Sequence, residues 1–177
     1  MLMLQRPSVE EYMPYHEQYI GLVGEGAVTE ILAKQLEGTT ELLTGISEEQ
    51  ADYSYAVGKW TLKEVIGHIS DNERVMSYRL LRAARGDKTP LAGYDQDDFM
   101  NGASFQDWTW QQVIGDYTAV RHATLTLLRG LSEEAWLRIG VANGGSVSAR
   151  ALAYIIAGHE MHHLQVIQNK YLGEFKS

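Results

Sequence analysis

The residues of this sequence best placed for chemistry are two histidines four positions apart, His159 and His163. On an α-helix, residues i and i+4 lie on one face, so both imidazoles can reach one metal ion. The neighbouring His162 lies about 100° from His163 around the helix, so we expect it outside the site. The pair alone fits equally well two core histidines that hydrogen-bond to backbone or carboxylate neighbours.

A third histidine, His68, makes a metal site the stronger interpretation. Thr61 and Glu64 form a capping box, which marks the start of a helix that carries His68 at the edge of its apolar stripe. Three neutral imidazoles around an ion leave one coordination position open, as in catalytic zinc sites. His16 and His122 have no such neighbours, and we expect them to be surface or packing residues.

Three carboxylates and one tryptophan lie close to these histidines in the sequence. Glu64, Asp71 and Glu160 are candidates for orienting an imidazole by a hydrogen bond from outside the coordination sphere. Glu160 is expected either at the surface or in such a role. Trp60 is a candidate for a pocket wall, although anchoring the start of its helix is the simpler role. None of these residues is assigned as a catalytic acid or base.

The sequence His159-Glu160-x-x-His163 also matches the zinc peptidase motif, in which the glutamate acts as general base. That motif usually has a third ligand further along the chain. Glu174 is the carboxylate in the short stretch after His163, which leaves little room for the usual arrangement. We therefore disfavour the peptidase interpretation.

Composition excludes several classes of function. The chain has 177 residues, a length typical of one domain (residues 1–177). Its net charge is -8 and its Lys and Arg residues are scattered, which disfavours nucleic acid as a partner. It contains no Cys, so a thiol would have to arrive as a cosubstrate. The initial Met-Leu-Met-Leu sequence lacks the features of a signal peptide, and no apolar run approaches the roughly 20 residues of a membrane span. We expect a cytoplasmic protein.

Apolar residues recur at helical spacing in four long segments, which predicts an all-α four-helix bundle. The predicted helices span residues 25–44, residues 61–85, a segment from 104 or 109 to 130, and residues 148–172. A short helix is expected within residues 7–23, and a small β-hairpin around Asn143-Gly144-Gly145 before the last helix. Residues 87–103 are predicted to form a long connection with solvated Asp95, Asp97 and Asp98.

Two segments together resemble the DinB superfamily, including the YfiT-like proteins. The first is Gly58-Lys59-Trp60-Thr61-Leu62-Lys63-Glu64-Val65-Ile66-Gly67-His68-Ile69-Ser70-Asp71, and the second is Gly158-His159-Glu160-Met161-His162-His163. They contain the elements Trp-[Ser/Thr]-x-x-Glu-x-x-x-His and His-x-x-x-His. The resemblance covers nearly the whole chain, and the two elements are specific in combination.

This resemblance implies a four-helix bundle, often dimeric, with a divalent ion on His68, His159 and His163. Nickel or zinc is the expected metal, with iron and manganese as alternatives. Because the superfamily includes thiol transferases, we expect a metal-dependent enzyme that activates a bound water or a low-molecular-weight thiol and acts as a transferase or hydrolase on a small molecule. The alternative is a non-catalytic, stress-related metal-binding or interaction protein. We also expect a homodimer.

Overall fold

The computed structural model describes residues 5–173 of the chain. Its helices are α1 (Glu17–Ile20), α2 (Val28–Thr44), α3 (Glu48–Ala51), α4 (Leu62–Ala84), α5 (Gln96–Gly102), α6 (Trp110–Arg129), α7 (Glu133–Leu137) and α8 (Ala149–Val166). Three short 3-10 turns (Val9–Glu11, Pro14–His16 and Phe105–Asp107) and a final π-helical turn (Ile167–Tyr171) complete the helical part. Strands β1 (Ile139–Ala142) and β2 (Gly145–Ser148) form an antiparallel hairpin.

The four long helices, α2, α4, α6 and α8, form the predicted bundle. Helix α4 packs against α6 and α8, and α2 packs against the same two helices, so α2 and α4 are diagonal to each other. The predicted capping box begins α4: the Thr61 hydroxyl accepts the amide hydrogen of Glu64, and the Glu64 carboxylate accepts that of Thr61. Thr109 caps α6 in the same way, which selects the later of its two predicted starts.

Helices α4 and α6 are neighbours that run in the same direction, and this explains the long connection between them. Both begin in an apolar cluster that contains Ile66 and Val113, and both end in a second cluster that contains Leu80 and Leu128. A chain joining parallel neighbours must return along the full length of the bundle. The predicted connection at residues 87–103 therefore crosses the molecule, and the short helix α5 within it was not predicted. Asp95, its N-cap, is exposed, as expected.

The two apolar clusters are separated by a polar layer half-way along the bundle. Each long helix contributes to it: Thr39 from α2, His68 and Glu73 from α4, Arg121 from α6, and His159 with Glu160 from α8, all of them buried. The polar layer therefore places the histidines of interest beside a second set of buried charges.

The end elements agree with the sequence in outline. Asn143 and Gly144 have positive φ angles of 50° and 76°, which the predicted tight turn requires. The short N-terminal helix is α1, preceded by two 3-10 turns. The short helices α3 and α7 were not predicted. Among the described residues, no helix is long and apolar enough to cross a membrane. The Met-Leu-Met-Leu start and Glu174 lie outside the described residues.

Candidate metal centre

Helices α4 and α8 bring His68, His159 and His163 together. One ring nitrogen from each lies within 4.8 Å of the other two, and the Nε2 atoms of His68 and His159 are 3.1 Å apart. The ring of His163 lies 4.8 Å from that of His68 and 4.5 Å from that of His159, centroid to centroid. Three side chains predicted to act together therefore converge on one point, although His68 lies 91 residues before His159 in the sequence.

Burial keeps these imidazoles neutral. His68 and His159 are almost completely buried, and His163 is partly buried. Loss of solvation lowers the pKa of His68 to about 4 and, together with the nearby His68 and His162, that of His163 to about 3. Burial and the three neighbouring histidines lower the pKa of His159 well below its ordinary value. A metal ion binds the neutral form of histidine, so no proton has to be displaced near pH 7.

The donor set fits a divalent transition metal. Nitrogen ligands 2.0–2.1 Å from a tetrahedral zinc ion are separated by roughly 3.3 Å, which is comparable with the spread of the three nitrogens. Imidazole nitrogen suits zinc, nickel, copper and iron. Two buried histidine nitrogens that face each other at 3.1 Å can satisfy only one hydrogen bond between them, whereas an ion would satisfy both.

Glycines next to the ligands allow the supporting elements to approach closely. A Cβ atom on Gly158 would lie 2.0 Å from the backbone oxygen of Tyr19, so α1 lies directly against α8 beside His159. A Cβ atom on Gly67 would lie 2.5 Å from the ring of Phe105, next to His68. Both glycines belong to the segments that carry the family resemblance, and each makes room for an element that encloses the site.

The three candidate carboxylates bind partners other than the imidazoles. Glu64 caps α4 through the amide of Thr61. Asp71 pairs with Arg74 at 3.3 Å, and loss of solvation is the main cause that raises its pKa. The expectation of a surface position for Glu160 is wrong, because its side chain is fully buried. A role in orienting the ligands stays a prediction for all three carboxylates.

Glu160 instead belongs to a cluster of buried charges that the sequence analysis missed. Its carboxylate accepts hydrogen bonds from Thr39 (2.6 Å), Tyr117 (2.9 Å) and Arg121. Arg121 also pairs with Glu73 at 2.8 Å. Burial opposes the charge of Arg121, but Glu160 and Glu73 raise its pKa above the ordinary value. The sequence does contain a pattern that indicates this buried charge. Arg121 lies four residues after Tyr117 and four before Leu125, so it occupies an otherwise apolar row of its helix.

Two clefts reach the histidines from different sides. The first, of about 290 Å³, ends at His159, and the second, of about 360 Å³, ends at His163. Trp60 lines the second cleft, and its ring lies 5.0 Å from that of His68. Each of the two clefts is therefore lined by one of the three candidate ligands.

The remaining histidines take different positions. His162 is partly buried, lies on the flank of α8 against Tyr19, and is absent from the described group of convergent ligands. His122 is exposed. His16 is buried, so of the two alternatives for it the packing position is correct and the surface position is wrong. It lines the cleft that ends at His159.

Comparison with known proteins agrees with this architecture. Residues 31–167 match the family model of the DinB superfamily. A protein from Oceanobacillus iheyensis named "putative metal-dependent hydrolase" is 27% identical over 151 residues, which cover 79% of this chain and 86% of that protein.

Solved structures share the fold. YfiT from Bacillus subtilis, described as a "probable metal-dependent hydrolase with an unusual four-helix bundle topology", superposes with a TM-score of 0.70 at 17% identity, covering 98% of this chain and 95% of its own. A mycothiol-dependent maleylpyruvate isomerase has a TM-score of 0.64 at 15% identity, covering 77% of this chain and 58% of its own. At these identities the likeness concerns the fold.

Proposed function

The chain belongs to the DinB superfamily, and we propose that it is an enzyme that depends on one divalent metal ion held by His68, His159 and His163. The observation that carries this proposal is the convergence of three neutral imidazoles, two of them buried and one partly buried, beside two clefts that are lined by His159 and by His163. Zinc or nickel is the proposed metal, because an all-imidazole donor set suits both. Iron and manganese are the alternatives.

A bound divalent ion lowers the pKa of a coordinated water or thiol and so provides a nucleophile near neutral pH. The protein contributes the rest of the site. His68 and His159 hold their nitrogens in a buried setting that excludes bulk water, while partly buried His163 faces the second cleft. Trp60 covers one side of the second cleft, and Tyr19 packs edge-on against His159 at 5.3 Å. These contacts restrict the orientation of the imidazoles.

Hydrolysis of a small molecule is the first proposed reaction. The names of the relatives from Oceanobacillus iheyensis and Bacillus subtilis support it. A hydrolase needs access for one substrate and for water, which the two clefts offer.

Transfer of a low-molecular-weight thiol is the second candidate. Two clefts that each include one of the proposed ligands suit a reaction between two reactants. One reactant would be the thiol, since the chain has no Cys of its own. The mycothiol dependence of the isomerase with the same fold supports this candidate. We further propose a cytoplasmic homodimer that does not act on nucleic acid. Light scattering at micromolar concentration tests the dimer, and a monomer mass would refute it.

Metal analysis of single variants, purified without a nickel column, tests the proposal. His68→Ala, His159→Ala and His163→Ala should each lower metal content at least tenfold, because two imidazoles bind far more weakly than three. His162→Ala is the matched control on the same helix and should retain the metal. Loss of metal in His162→Ala but not in His159→Ala would refute the assigned ligands.

Activity screens separate the enzyme from a non-catalytic metal-binding protein. The metal-loaded protein should hydrolyse a panel of ester and amide substrates or transfer a thiol to an electrophile, and the His163→Ala variant should not. Stoichiometric metal without turnover in either screen would favour the alternative, in which the ion serves to join α4 and α8.

A further inference from the structure

The cleft that ends at His159 contains three buried polar side chains whose bonding capacity the protein leaves partly unused. Arg79 and Asn72 from α4 are each 6% exposed, and His16 is 7% exposed. All three line this cleft of about 290 Å³, close to the smallest sites that hold small molecules. Because buried polar groups in proteins normally have partners, this concentration in one cleft points to a ligand.

Arg79 is a buried cation without a counter-ion in the described part of the chain. Its guanidinium donates to the backbone oxygen of Ala92 at 2.7 Å and contacts the sulfur of Met76 at 3.7 Å, both uncharged. It also lies over the ring of Tyr94, 5.8 Å from the centroid. Between residues 5 and 173, no carboxylate oxygen lies within 4.0 Å of this guanidinium, in contrast to the paired arginines. A planar guanidinium in this state suits a carboxylate.

Asn72 and His16 add a requirement for hydrogen bonding. The Nδ2 atom of Asn72 donates to the hydroxyl of Tyr94 at 2.6 Å, while its Oδ1 atom has no partner. An amide oxygen only accepts, so a matching ligand must present an O–H or N–H donor. The Nδ1 atom of His16 is also buried without a partner. A simple anion would therefore leave part of the cleft unsatisfied.

The acidic residue that lines this cleft, Asp95, already accepts hydrogen bonds within its own helix. Asp95 accepts the amide hydrogens of Asp97 (2.8 Å) and Asp98 (3.1 Å) as the N-cap of α5. Its carboxylate is thus held at the start of that helix and is not paired with Arg79. The charge of Arg79 is therefore not paired with the carboxylate that lines the same cleft.

We propose that this cleft binds a small carboxylate that also carries a hydroxyl or N–H donor. Its carboxylate pairs with Arg79, its donor reaches Asn72 Oδ1, and the remainder of the molecule points towards His159. The placement of the reacting end near His159 rests on the proposed function. The inference adds to that function the class of substrate. The anion site itself depends only on Arg79, Asn72 and His16.

Three matched probes test this site: lactate, propionate, which lacks the hydroxyl, and lactamide, which lacks the charge. Titrations followed by two-dimensional amide NMR should be performed on EDTA-treated and on zinc-loaded protein. Lactate should bind with saturable shifts in α1 and α4, propionate about tenfold more weakly, and lactamide not measurably. Absence of saturable lactate binding to the wild type at hundreds of millimolar would overturn the proposal.

Variants assign the binding to named residues. Arg79→Gln should weaken lactate binding at least tenfold. Arg82 pairs with Asp87 outside this cleft, so Arg82→Gln is the control and should not change lactate binding. The Asn72→Ala variant should bind lactate no better than propionate, because it lacks the acceptor for the lactate hydroxyl. This variant provides an independent test if Arg79→Gln does not fold. Equal affinity of Arg79→Gln and wild type would overturn the proposal.

The EDTA-treated protein separates this inference from the proposed function. Arg79-dependent lactate binding by EDTA-treated protein whose histidines then take up no added zinc would refute the proposed function and leave the anion site intact. Lactate binding that requires zinc and is unchanged in Arg79→Gln would overturn the anion site and leave the proposed function intact.

Discussion

Arg79 and Arg121 show two ways in which this bundle buries a positive charge. Arg121 is fully enclosed in the polar layer, with Glu73 and Glu160 beside it and the backbone oxygen of Leu32 at 3.1 Å. Arg79 is nearly as buried, but its described hydrogen-bond partners are uncharged. The first arginine is part of a closed cluster, and the second faces a cleft.

The difference distinguishes buried polar groups that stabilise the core from buried polar groups that are available to a ligand. A cluster whose donors and acceptors all find partners joins helices, and removing one member leaves the others unpaired. A polar group whose partner is missing destabilises the free protein and becomes favourable when a ligand supplies that partner. Glu160 belongs to the closed cluster, and its neighbour in the sequence, His159, lines the open cleft.

The largest expected effect is on unfolding. Arg121→Leu leaves two carboxylates buried without their cation, so it should lower the free energy of unfolding by about 3–5 kcal/mol. Arg79→Leu removes an unpaired cation and should change the free energy by no more than about 1 kcal/mol in either direction. Urea denaturation of the two variants measures the difference. Equal losses would mean that Arg79 has a structural partner after all.

The pH dependence should show a smaller effect. Burial and the charge of Arg79 lower the pKa of His16 from 6.5 to about 4. Between these values the unfolded chain takes up a proton that the folded protein does not, so the free energy of unfolding falls as pH falls from 6.5 towards 4. For His16 the loss at pH 4.5 should be about 2–3 kcal/mol.

His16→Gln in EDTA-treated protein should remove that part of the pH dependence, since glutamine does not titrate. Exposed His122 provides the matched variant, and His122→Gln should leave the wild-type slope unchanged. Urea denaturation at several pH values between 4.5 and 7 measures both slopes. Identical slopes for His16→Gln and wild type would show that His16 is not held neutral by its surroundings.

The smallest effect is expected from a third arginine, which lies at the surface. Arg74 is 47% exposed and pairs with Asp71 and Asp116. Because water screens such pairs, Arg74→Leu should lower the free energy of unfolding by only about 0–1 kcal/mol. A loss as large as that of Arg121→Leu would show that solvent exposure does not determine how much these arginines contribute to the free energy of unfolding.

The same pair offers a test of a predicted ligand-orienting residue. Asp71 pairs with Arg74 in the structure, so we expect Asp71→Asn to retain the metal content of the wild type. A substantial loss of metal would support the role in orienting an imidazole that the sequence indicated for Asp71.

Much of the architecture was predictable because helices have local causes. Apolar spacing indicated the four long helices, and the capping box at Thr61 marked the start of α4 to the residue. The separation of His159 and His163 by four residues is enough to align them on one helix face. The short helices α3, α5 and α7 escaped prediction because four to seven residues are too few for a periodic pattern.

What the sequence alone determined about this protein is therefore the set of long helices, the alignment of His159 with His163, and the likeness of two segments to the DinB superfamily. Only the tertiary structure decided which buried charges are paired. Arg121 lies 39 residues from Glu160 and 48 from Glu73, whereas Arg79 is on the same helix as Glu73 and does not reach it. Partners on different helices depend on how the helices are rotated and aligned against each other, which no local pattern encodes. For the same reason, only the family resemblance indicated that His68 joins the late pair, and the folded chain was needed to show the distances between the three and the two clefts beside them.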